Sequence, residues 1–389
     1  MAARKPVSLL KAKDNIAEAW PDEPSRFTDE LVDPFLMWCV KKNSSDISIQ
    51  SDRPAYNEIY GTLYPGTYRP IDAADMNVFL NKIYGPEAGA RLASGNDLDL
   101  SYEIRPDRYT RIRFRVNITP ILSRGRDSAA ITMRVLPSEP PSMKDLNVEA
   151  DVINAWAPRQ GMVVITGPTG SGKTTLLAAG IRMLMERKRG AGKIVCYEAP
   201  IEYVYDAIKS PRSLISQTEI PKHLPDFARG VRNALRRKPN IILVGEARDR
   251  ETIAAGIEAA QTGHLVYTTT HTTGVAATIQ RMVSAFEPSE RSERAYALME
   301  TMRLVVTQAL APKVNGGRVG LREWMRFTDE VRDKLLAMDF QMWPTEIQRM
   351  LPFYGQTMAK SAAIAFDAGL IDRRNYIMLS SSSGAGGGD

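Results

Sequence analysis

The chain has 389 residues, which exceeds the size at which a single hydrophobic core stops growing, and we therefore expect more than one domain. Its 51 basic and 45 acidic side chains leave a net charge of +6, which is too small to indicate nucleic-acid binding. An acidic membrane surface or an acidic partner explains this weak positive charge equally well. Two distant cysteines and the lack of an 18-residue apolar stretch argue against a disulfide-stabilised secreted domain and a membrane-spanning protein. We expect a cytoplasmic protein that reaches a membrane only through partners.

The first third of the chain, residues 1–136, predicts a small mixed α/β domain. The predicted helices span residues 26–42 and 72–84, and the predicted strands span residues 45–50, 57–63, 111–118 and 129–136. The next segment, residues 137–147 (PSEPPSMKDLN), contains three prolines and several polar residues. These disfavour both a helix and a central strand, so the segment is predicted to be a linker.

From residue 148 onward, short apolar strands alternate with helices, which is typical of a parallel sheet covered on both faces. Strands are predicted at residues 162–166, 193–197, 241–245 and 265–270, and helices at residues 173–188, 226–237, 249–261 and 275–285. Residues from 289 onward are predicted to be mainly helical. The linker is therefore expected to be followed by a large α/β domain at residues 148–340 and a helical C-terminal region at residues 341–379. The last ten residues, 380–389, are predicted to form a low-complexity, disordered tail.

One stretch, residues 161–176 (GMVVITGPTGSGKTTL), predicts the chemistry of the chain. It reads as an apolar strand, a glycine-rich loop and a helix, and it matches the phosphate-loop pattern GxxxxGK[ST]. Glycines let backbone N–H groups approach phosphate oxygens, and a helix N-terminus favours the same anion. Lys173 would neutralise the β and γ phosphates, while Thr174 would hold Mg²⁺. We predict that ATP with Mg²⁺ is bound by Gly167, Pro168, Thr169, Gly170, Ser171, Gly172, Lys173, Thr174 and Thr175.

Polar side chains follow the other predicted strands, at the sheet edge where ligands of such folds bind. Glu246 follows the apolar run IILVG, and a carboxylate there can hold Mg²⁺ through water. Glu198 and Glu202 follow the second strand, where one of them could orient the attacking water or both could lie in an exposed turn. His264 and His271 flank the fourth strand and either sense the γ phosphate or satisfy polar strand ends. A strand of seven residues spans roughly 23 Å, which is too long for both to bind one metal.

Arginines occupy every second position of one predicted N-terminal strand. Arg111, Arg113 and Arg115 would line a single face, because side chains alternate across a strand. Three like charges on one face repel one another, so the face needs either open water or an anion. It is therefore either a solvated sheet surface or a surface that meets the γ phosphate, where an arginine can raise the rate about a thousandfold.

Four segments in chain order resemble the Walker A, Asp box, Walker B and His box of the PilT-like type II/IV secretion ATPases. They are GPTGSGKT, YEAPIEY, IILVGEARDRET and TGHLVYTTTHTTGVAATIQR, and the resemblance extends over residues 45–340. The chain is most similar to the type IVB branch, that of the DotB and TraJ-type secretion and conjugation ATPases. The resemblance implies a PAS-like N-terminal domain linked to a RecA-like P-loop ATPase domain with C-terminal helices. It also implies a homo-hexamer that meets inner-membrane channel components and a coupling complex at the cytoplasmic face of the bacterial inner membrane.

The resemblance also implies roles for individual residues. Glu202 corresponds to the catalytic glutamate of the Asp box and Glu246 to the Walker B acid, while His264 and His271 correspond to the paired histidines of the His box. The arginine-bearing positions of the PAS-like domain supply a further catalytic candidate, Arg113, and candidates for action on a neighbouring subunit. Those candidates are Arg111, Arg115 and Arg134.

Two positions depart from the family pattern. Ala199 stands where relatives usually carry the aspartate of the Asp box, so that side chain is not required here. The retraction signature of pilus motors is replaced by EVRDKLL at residues 330–336, which argues against pilus retraction but not against ATP hydrolysis.

These features predict an ATP hydrolase that powers type IV, and more narrowly type IVB, secretion or conjugative transfer. Loss of γ-phosphate contacts on hydrolysis would release the small domain to move about the linker. The alternatives are a pilus retraction or assembly motor, a DNA-translocating RecA-like motor, and a scaffold that binds ATP without turnover. Aromatic residues make up 7% of the chain without a basic-aromatic cluster, so direct nucleic-acid binding is not expected. A phosphate-release assay separates the scaffold from a motor.

Overall fold

A computed structural model of the chain describes residues 19–59, 61–107, 110–136 and 139–381. They form two compact units that divide between residues 138 and 139, called here the N-terminal unit and the C-terminal unit. Each unit has a sheet and a hydrophobic core of its own. Residues 139–147, most of the segment predicted as a linker, group with the C-terminal unit. In the part of the chain that the structure describes, no helix combines the length and the apolar character needed to span a bilayer.

The N-terminal unit contains a six-stranded antiparallel sheet in the order β3-β2-β1-β6-β5-β4. Its strands are β1 (Asp46–Gln50), β2 (Tyr56–Ile59), β3 (Thr62–Pro65), β4 (Leu98–Ile104), β5 (Ile112–Ser123) and β6 (Arg126–Leu136). Its helices are α1 (Asp29–Lys41), α2 (Ala73–Ile83) and α3 (Ala88–Ala93). Apolar side chains of the helices and strands share one core, in which Phe35, Phe79 and Phe114 are completely buried.

The predicted helices of this unit form at the expected places, but the strand prediction at residues 57–63 is wrong. That segment folds into two strands, β2 and β3, because the chain reverses at Gly61, whose φ of +78° favours glycine. Strand β4 was not predicted. Its sequence LDLSYEI alternates apolar and polar residues along its whole length, so a period of two was a visible signal there.

The C-terminal unit contains an eight-stranded sheet in the order β14-β13-β12-β7-β11-β10-β8-β9, of which the last six strands are parallel. Its strands are β7 (Gly161–Thr166), β8 (Gly192–Glu198), β9 (Ser213–Glu219), β10 (Ile241–Val244), β11 (Leu265–Thr269), β12 (Met302–Pro312), β13 (Arg318–Arg326) and β14 (Gly355–Gln356).

Ten α-helices accompany this sheet in the described part of the C-terminal unit. They are α4 (Ala150–Ala155), α5 (Lys173–Glu186), α6 (Phe227–Leu235), α7 (Arg250–Gln261), α8 (Val275–Ser284), α9 (Arg291–Thr301), α10 (Asp329–Leu336), α11 (Trp343–Tyr354), α12 (Met358–Asp367) and α13 (Arg373–Ser381), with a short 3-10 helix at Phe340–Met342.

Strand β7 is buried along its whole length. Val163 and Ile165 belong to the core on one face of the sheet, whereas Met162 and Val164 belong to the core on the other face. The prediction of a parallel sheet covered on both faces is therefore confirmed. Continuous burial also explains why β7 reads as an unbroken apolar run rather than as an alternating strand.

The sequence prediction missed strands at both sides of this sheet. β9 extends the sheet beyond β8, and the hairpin of β12 and β13 lies within the region predicted to be mainly helical from residue 289. That region does contain five helices, but β12 pairs directly with β7. Of the predicted disordered tail, residues 380 and 381 end helix α13, and residues 382–389 lie outside the described residues.

Helix α5 packs closely on Trp156, an indole that is completely buried and stacks on Tyr267 with ring centroids 5.6 Å apart. The contact is made at Gly180, where an added Cβ would lie 2.1 Å from indole carbon atoms. An alanine at this position must therefore displace the indole or the helix. The glycine, although it is a poor helix former, is required by this packing.

We predict that Gly180→Ala lowers the free energy of unfolding of the C-terminal unit by about 1–3 kcal/mol, because overpacking outweighs the gain in helix propensity. Urea unfolding followed by tryptophan fluorescence measures the change. Gly256→Ala in α7 is the matched control, since its Cβ would meet only the flexible end of Met162 at 3.2 Å. Equal stability of the two variants would contradict the described packing of α5.

Candidate active site

The carboxyl ends of the parallel strands bring the predicted site segments to one edge of the sheet. Thr269 at the end of β11 pairs with Ile165 of β7, and Val244 at the end of β10 pairs with Tyr197 of β8 and with Thr268. The segments that follow these strands are therefore neighbours, although they are separated by tens of residues in the chain. They carry Lys173, Glu202, Glu246 and His271.

The phosphate loop, residues 167–172, joins β7 to α5, as predicted. Gly167, Gly170 and Gly172 have φ values of +137°, +77° and +80°, a region that side chains with a Cβ rarely adopt. Pro168, Thr169 and Gly170 are exposed at the tip of the loop, whereas Ser171 is buried and its hydroxyl has no hydrogen-bond partner among the described residues. The open tip and the free N-terminus of α5 form a cradle of backbone amides that suits an anion.

Lys173, the first residue of α5, turns back over the loop. Its ammonium group donates hydrogen bonds to the carbonyls of Gly167 at 2.8 Å and Pro168 at 3.0 Å. The side chain is only 8% exposed, and this burial lowers its pKa, whereas the charges of Glu246 and Glu202 oppose the lowering. A negatively charged ligand would compensate the desolvated ammonium in the same way, which makes the position suited to phosphate.

His271 lies between Lys173 and the carboxylate predicted to hold Mg²⁺. Its Nδ1 is 3.5 Å from the ammonium of Lys173, and its Nε2 is 3.3 Å from Oε1 of Glu246. Glu202 is half-buried and close enough to act on the charge of Lys173. The structure thus brings four predicted site residues together: Lys173, Glu202, Glu246 and His271.

His264 is not part of this group. It precedes β11 at the opposite edge of the sheet, where its Nδ1 lies 3.0 Å from the carbonyl of Ala259. The length of β11 separates His264 from His271 by roughly 20 Å. His264 is therefore too far away to contact a ligand at the phosphate loop of the same subunit. The surroundings of His264 in this subunit are therefore those of a satisfied polar group at the end of a strand, and not those of a group that senses the γ phosphate.

A network of threonine hydroxyls holds the segment of His271 against the end of β7. Thr166 donates to the carbonyl of Thr272 at 2.5 Å, and its hydroxyl oxygen accepts from Thr270 at 2.9 Å. The hydroxyl of Thr272 lies 2.8 Å from that of Thr278 in α8. These threonines were not predicted to belong to the site, although the run TTTHTT at residues 268–273 was a visible signal. The network fixes the loop that carries His271 beside the phosphate loop.

The remaining predicted ligands, Thr174 and Thr175, occupy the first turn of α5. The Thr175 hydroxyl lies 3.0 Å from that of Tyr203, which ties the helix to the segment that carries Glu202. A cavity of about 220 Å³ lies beside Gly172 and Thr175.

The described residues contain no group of three or more His, Cys, Asp or Glu side chains that could enclose a metal ion. Mg²⁺ usually takes one or two protein ligands together with phosphate oxygens, so Thr174 and Glu246 are compatible with the predicted site.

The arginine strand of the N-terminal unit carries its own counter-charge. Glu103 of β4 pairs with Arg113 of β5, and its Oε2 lies 3.4 Å from Nε of Arg111 and 3.5 Å from Nε of Arg113. Arg113 is only 3% exposed. The anion that this face needs is thus supplied, for these two arginines, by a carboxylate of the same unit.

The other two candidate arginines are exposed. Arg115 lies opposite Arg134 in the pairing of β5 with β6. Nε of Arg134 donates to Asp46 at 2.9 Å. Because both side chains are exposed, this pair is more accessible to an anion than Arg113, although Asp46 already compensates Arg134.

Comparison with known proteins identifies the family. A sequence profile described as "Type II/IV secretion system protein" matches residues 26–336. The chain belongs to this family. The type IV pilus retraction ATPase PilT of Pseudomonas aeruginosa is 32% identical over 340 residues, which cover 87% of the chain and 95% of PilT. The predicted family and the predicted class of enzyme, a P-loop ATPase, are confirmed at this level.

Solved structures of the family agree with the fold. The structure of the ATPase DotB from Legionella pneumophila is 46% identical and superposes with a TM-score of 0.88, covering 93% of this chain and 98% of DotB. The pilus retraction motor PilT with bound ADP is 28% identical, with a TM-score of 0.77 and coverage of 90% and 96%. The predicted combination of an N-terminal α/β domain, an ATPase domain and C-terminal helices is therefore confirmed.

We predict that Lys173→Ala weakens ATP binding by about 10- to 100-fold, because it removes a charged contact to phosphate. Glu202→Gln should instead retain ATP binding and lower turnover by about 10²- to 10⁴-fold, the usual contribution of a general base. Glu246→Gln should likewise bind ATP and turn over poorly. Fluorescent-nucleotide binding and phosphate release measure the two quantities.

Glu258→Gln is a control for these variants, because Glu258 is an exposed acid near the far end of α7. It should match the wild type in both assays. An equal loss of affinity in Lys173→Ala and Glu202→Gln would remove Glu202 from the catalytic group. Wild-type turnover of Glu246→Gln would remove Glu246.

Proposed function

We propose that this chain is a homo-hexameric ATPase that powers type IVB secretion or conjugative transfer from the cytoplasmic face of the bacterial inner membrane. The observation that carries the proposal is the similarity to the DotB ATPase, which extends over 93% of this chain at 46% identity. Partners would be inner-membrane channel components and a coupling complex. Membrane association goes through these partners, and direct nucleic-acid binding is not part of the proposal.

In this proposal, each residue at the sheet edge has a defined task. The amides of the phosphate loop and the ammonium of Lys173 bind the triphosphate, and Thr174 with Glu246 holds Mg²⁺, which would neutralise charge on the transferred phosphoryl group. Glu202 orients the attacking water. His271 contacts both Lys173 and Glu246 and is therefore placed to respond to the charge at the γ position.

Conversion of hydrolysis into motion requires a contact that depends on the γ phosphate. Arginines of the N-terminal unit of the same or a neighbouring subunit are proposed to supply it. Hydrolysis removes that contact, and the N-terminal unit then moves about residues 137–147. Arg115 and Arg134 are exposed, although Arg134 is paired with Asp46, whereas Arg113 is buried and must exchange Glu103 for the nucleotide.

Pilus retraction is a second candidate function. The similarity to PilT of Pseudomonas aeruginosa, which covers 95% of that protein, favours it. The segment EVRDKLL, which forms most of α10 in place of the retraction signature, disfavours it. The two candidates share the ATPase chemistry and differ in the membrane complex that the ring contacts.

The identity of the contacted complex decides between these candidates. Tagged protein should co-purify, after crosslinking in its host, with the inner-membrane channel proteins of a secretion system. Purified protein should sediment with membranes that contain those proteins, but not with lipid vesicles alone, because the proposed attachment goes through these partners. Recovery of pilus assembly proteins in place of channel proteins would instead support retraction, and strong binding to bare vesicles would contradict attachment through partners.

Replacement of Arg113 and of Glu103 tests the arginine contact. If Arg113 meets the nucleotide, Arg113→Ala should lower phosphate release by about a thousandfold and leave ADP binding intact. Glu103→Gln should then keep most of the activity, because it weakens only ion pairs within the N-terminal unit, those with Arg105, Arg111 and Arg113. Equal losses in both variants would show that Arg113 acts only as the structural partner of Glu103.

Mixing of subunits tests whether the contact crosses between neighbours. Arg113→Ala protein and Lys173→Ala protein, each inactive alone, should recover part of the activity when mixed, because some interfaces then pair an intact loop with an intact arginine. Near-normal hydrolysis by alanine variants at Arg111, Arg113, Arg115 and Arg134, each tested alone, would end the arginine proposal. It would leave the strand as a solvated face.

A further inference from the structure

Gln308 of β12 lies directly against the phosphate loop. Its side-chain amide donates to the carbonyl of Ser171 at 2.8 Å. A Cβ added to Gly167 would lie 2.2 Å from the backbone oxygen of Gln308, and one added to Gly172 would lie 2.9 Å from its side-chain nitrogen. Both end glycines of the loop therefore pack on this one residue, which is only 3% exposed.

The other end of the Gln308 amide is held by Arg322 of β13. The two residues are paired across the strands, and Nε of Arg322 donates to Oε1 of Gln308 at 2.9 Å. Arg322 is 1% exposed, so its charge is almost completely desolvated. A buried guanidinium must use its donors, and most of them point away from the loop.

The remaining donors of Arg322 reach the chain segment that enters the C-terminal unit. They bind the carbonyls of Leu146 at 2.9 Å and Asn147 at 3.2 Å, and the carboxylate of Glu149 at 3.2 Å. Asn147 has a φ of +47°, which places a sharp reversal of the chain at the contact. This segment, residues 146–149, consists of the last two residues of the predicted linker and the two residues that follow it.

We propose that Gln308 and Arg322 are positioning residues that transmit the state of the phosphate loop to residues 146–149. The inference rests on the proposed function, because it supplies the step between nucleotide binding and movement about the linker. The amide of Gln308 and the guanidinium of Arg322 are planar and rigid, and each is bonded at both ends. A shift of the Ser171 carbonyl therefore moves the amide, and the amide moves the guanidinium that holds Leu146 and Asn147.

The space around this chain of hydrogen bonds allows such movement. The cavity of about 220 Å³ beside the loop is lined by Gly172, Gln308 and Arg322 and also by Asn147. The loop, the connecting side chains and the entering segment thus share one cavity. Dense packing would resist displacement, whereas a cavity of this size lets the connected groups shift together.

Hydrogen–deuterium exchange with and without saturating ADP tests the proposal. The amides of Asn147 and Val148 donate to the carbonyls of Lys144 and Met143 and report on the entering segment. In the wild type, ADP should slow exchange in the loop, residues 167–175, and change exchange at residues 143–149 by about fivefold or more. In Gln308→Met, the response of the loop should remain, while the response of residues 143–149 should fall below about twofold.

Two further variants guard against a general loss of stability. Gln308→Glu keeps the acceptor for Arg322 but cannot donate to Ser171, so it should lose the distant response as Gln308→Met does. Thr307→Val is the matched control, because Thr307 is the preceding residue of β12 and its buried hydroxyl has no partner among the described residues. It should respond as the wild type does.

The outcomes separate the inference from the proposed function. A distant response in Gln308→Met and Gln308→Glu equal to that of the wild type would overturn the inference. A wild type that responds in the loop but not at residues 143–149 would also overturn it, while leaving an ATPase in place. A wild type with no response in either segment would show that nucleotide does not occupy the loop, which would contradict the proposed function as well.

Discussion

The site depends on the close approach of the phosphate loop to strand β12. The first and last glycines of the loop pack on Gln308, and neither position has room for a Cβ. This approach is possible because β12 pairs in parallel with β7, so that the C-terminal hairpin of β12 and β13 forms one wall of the site. Residues far along the chain therefore determine the shape of a loop whose sequence pattern is entirely local.

The charges at the sheet edge depend on the same arrangement. Lys173 is buried against loop carbonyls, and burial lowers its pKa while Glu246 and Glu202 act in the opposite sense. His271 contacts both Lys173 and Glu246, and the threonine network anchors its segment to the end of β7. A cation that is desolvated and only partly compensated favours an additional anion. The geometry thus supports phosphate binding independently of the sequence pattern.

Which parts of the site could be predicted depends on how far apart the interacting residues lie in the sequence. The loop, its strand and its helix were predicted because their signals lie within 16 neighbouring residues. Glu246 and His271 were predicted because parallel strands place their carboxyl ends together. Gln308 and Arg322 were not, since their roles arise from pairing with segments more than 100 residues away. Within the N-terminal unit, the pairing of Glu103 with Arg113 was missed for a different reason, because β4 was not recognised as a strand although its sequence alternates.

The same distinction between local and distant sequence signals applies to the fold. Amphipathic helices and the buried strands β7, β8, β10 and β11 were found at nearly the right residues, whereas β4 was missed although its sequence alternates. The turn at Gly61 and the strand character of residues 302–312 were missed, because each is decided by its tertiary partners rather than by local pattern. For His264, by contrast, the local sequence was sufficient. Its separation from His271 follows from strand length alone, and the structure places it at the opposite edge.

The central claim is that the loop at the sheet edge binds ATP for turnover within a ring. Steady-state phosphate release by the purified wild-type chain, measured with and without Mg²⁺ over a range of protein concentrations, tests it most directly. We expect Mg²⁺-dependent release whose rate per subunit rises with protein concentration and then becomes constant as rings form. Tight nucleotide binding without release at any concentration would contradict the account and indicate a scaffold that uses ATP only to assemble.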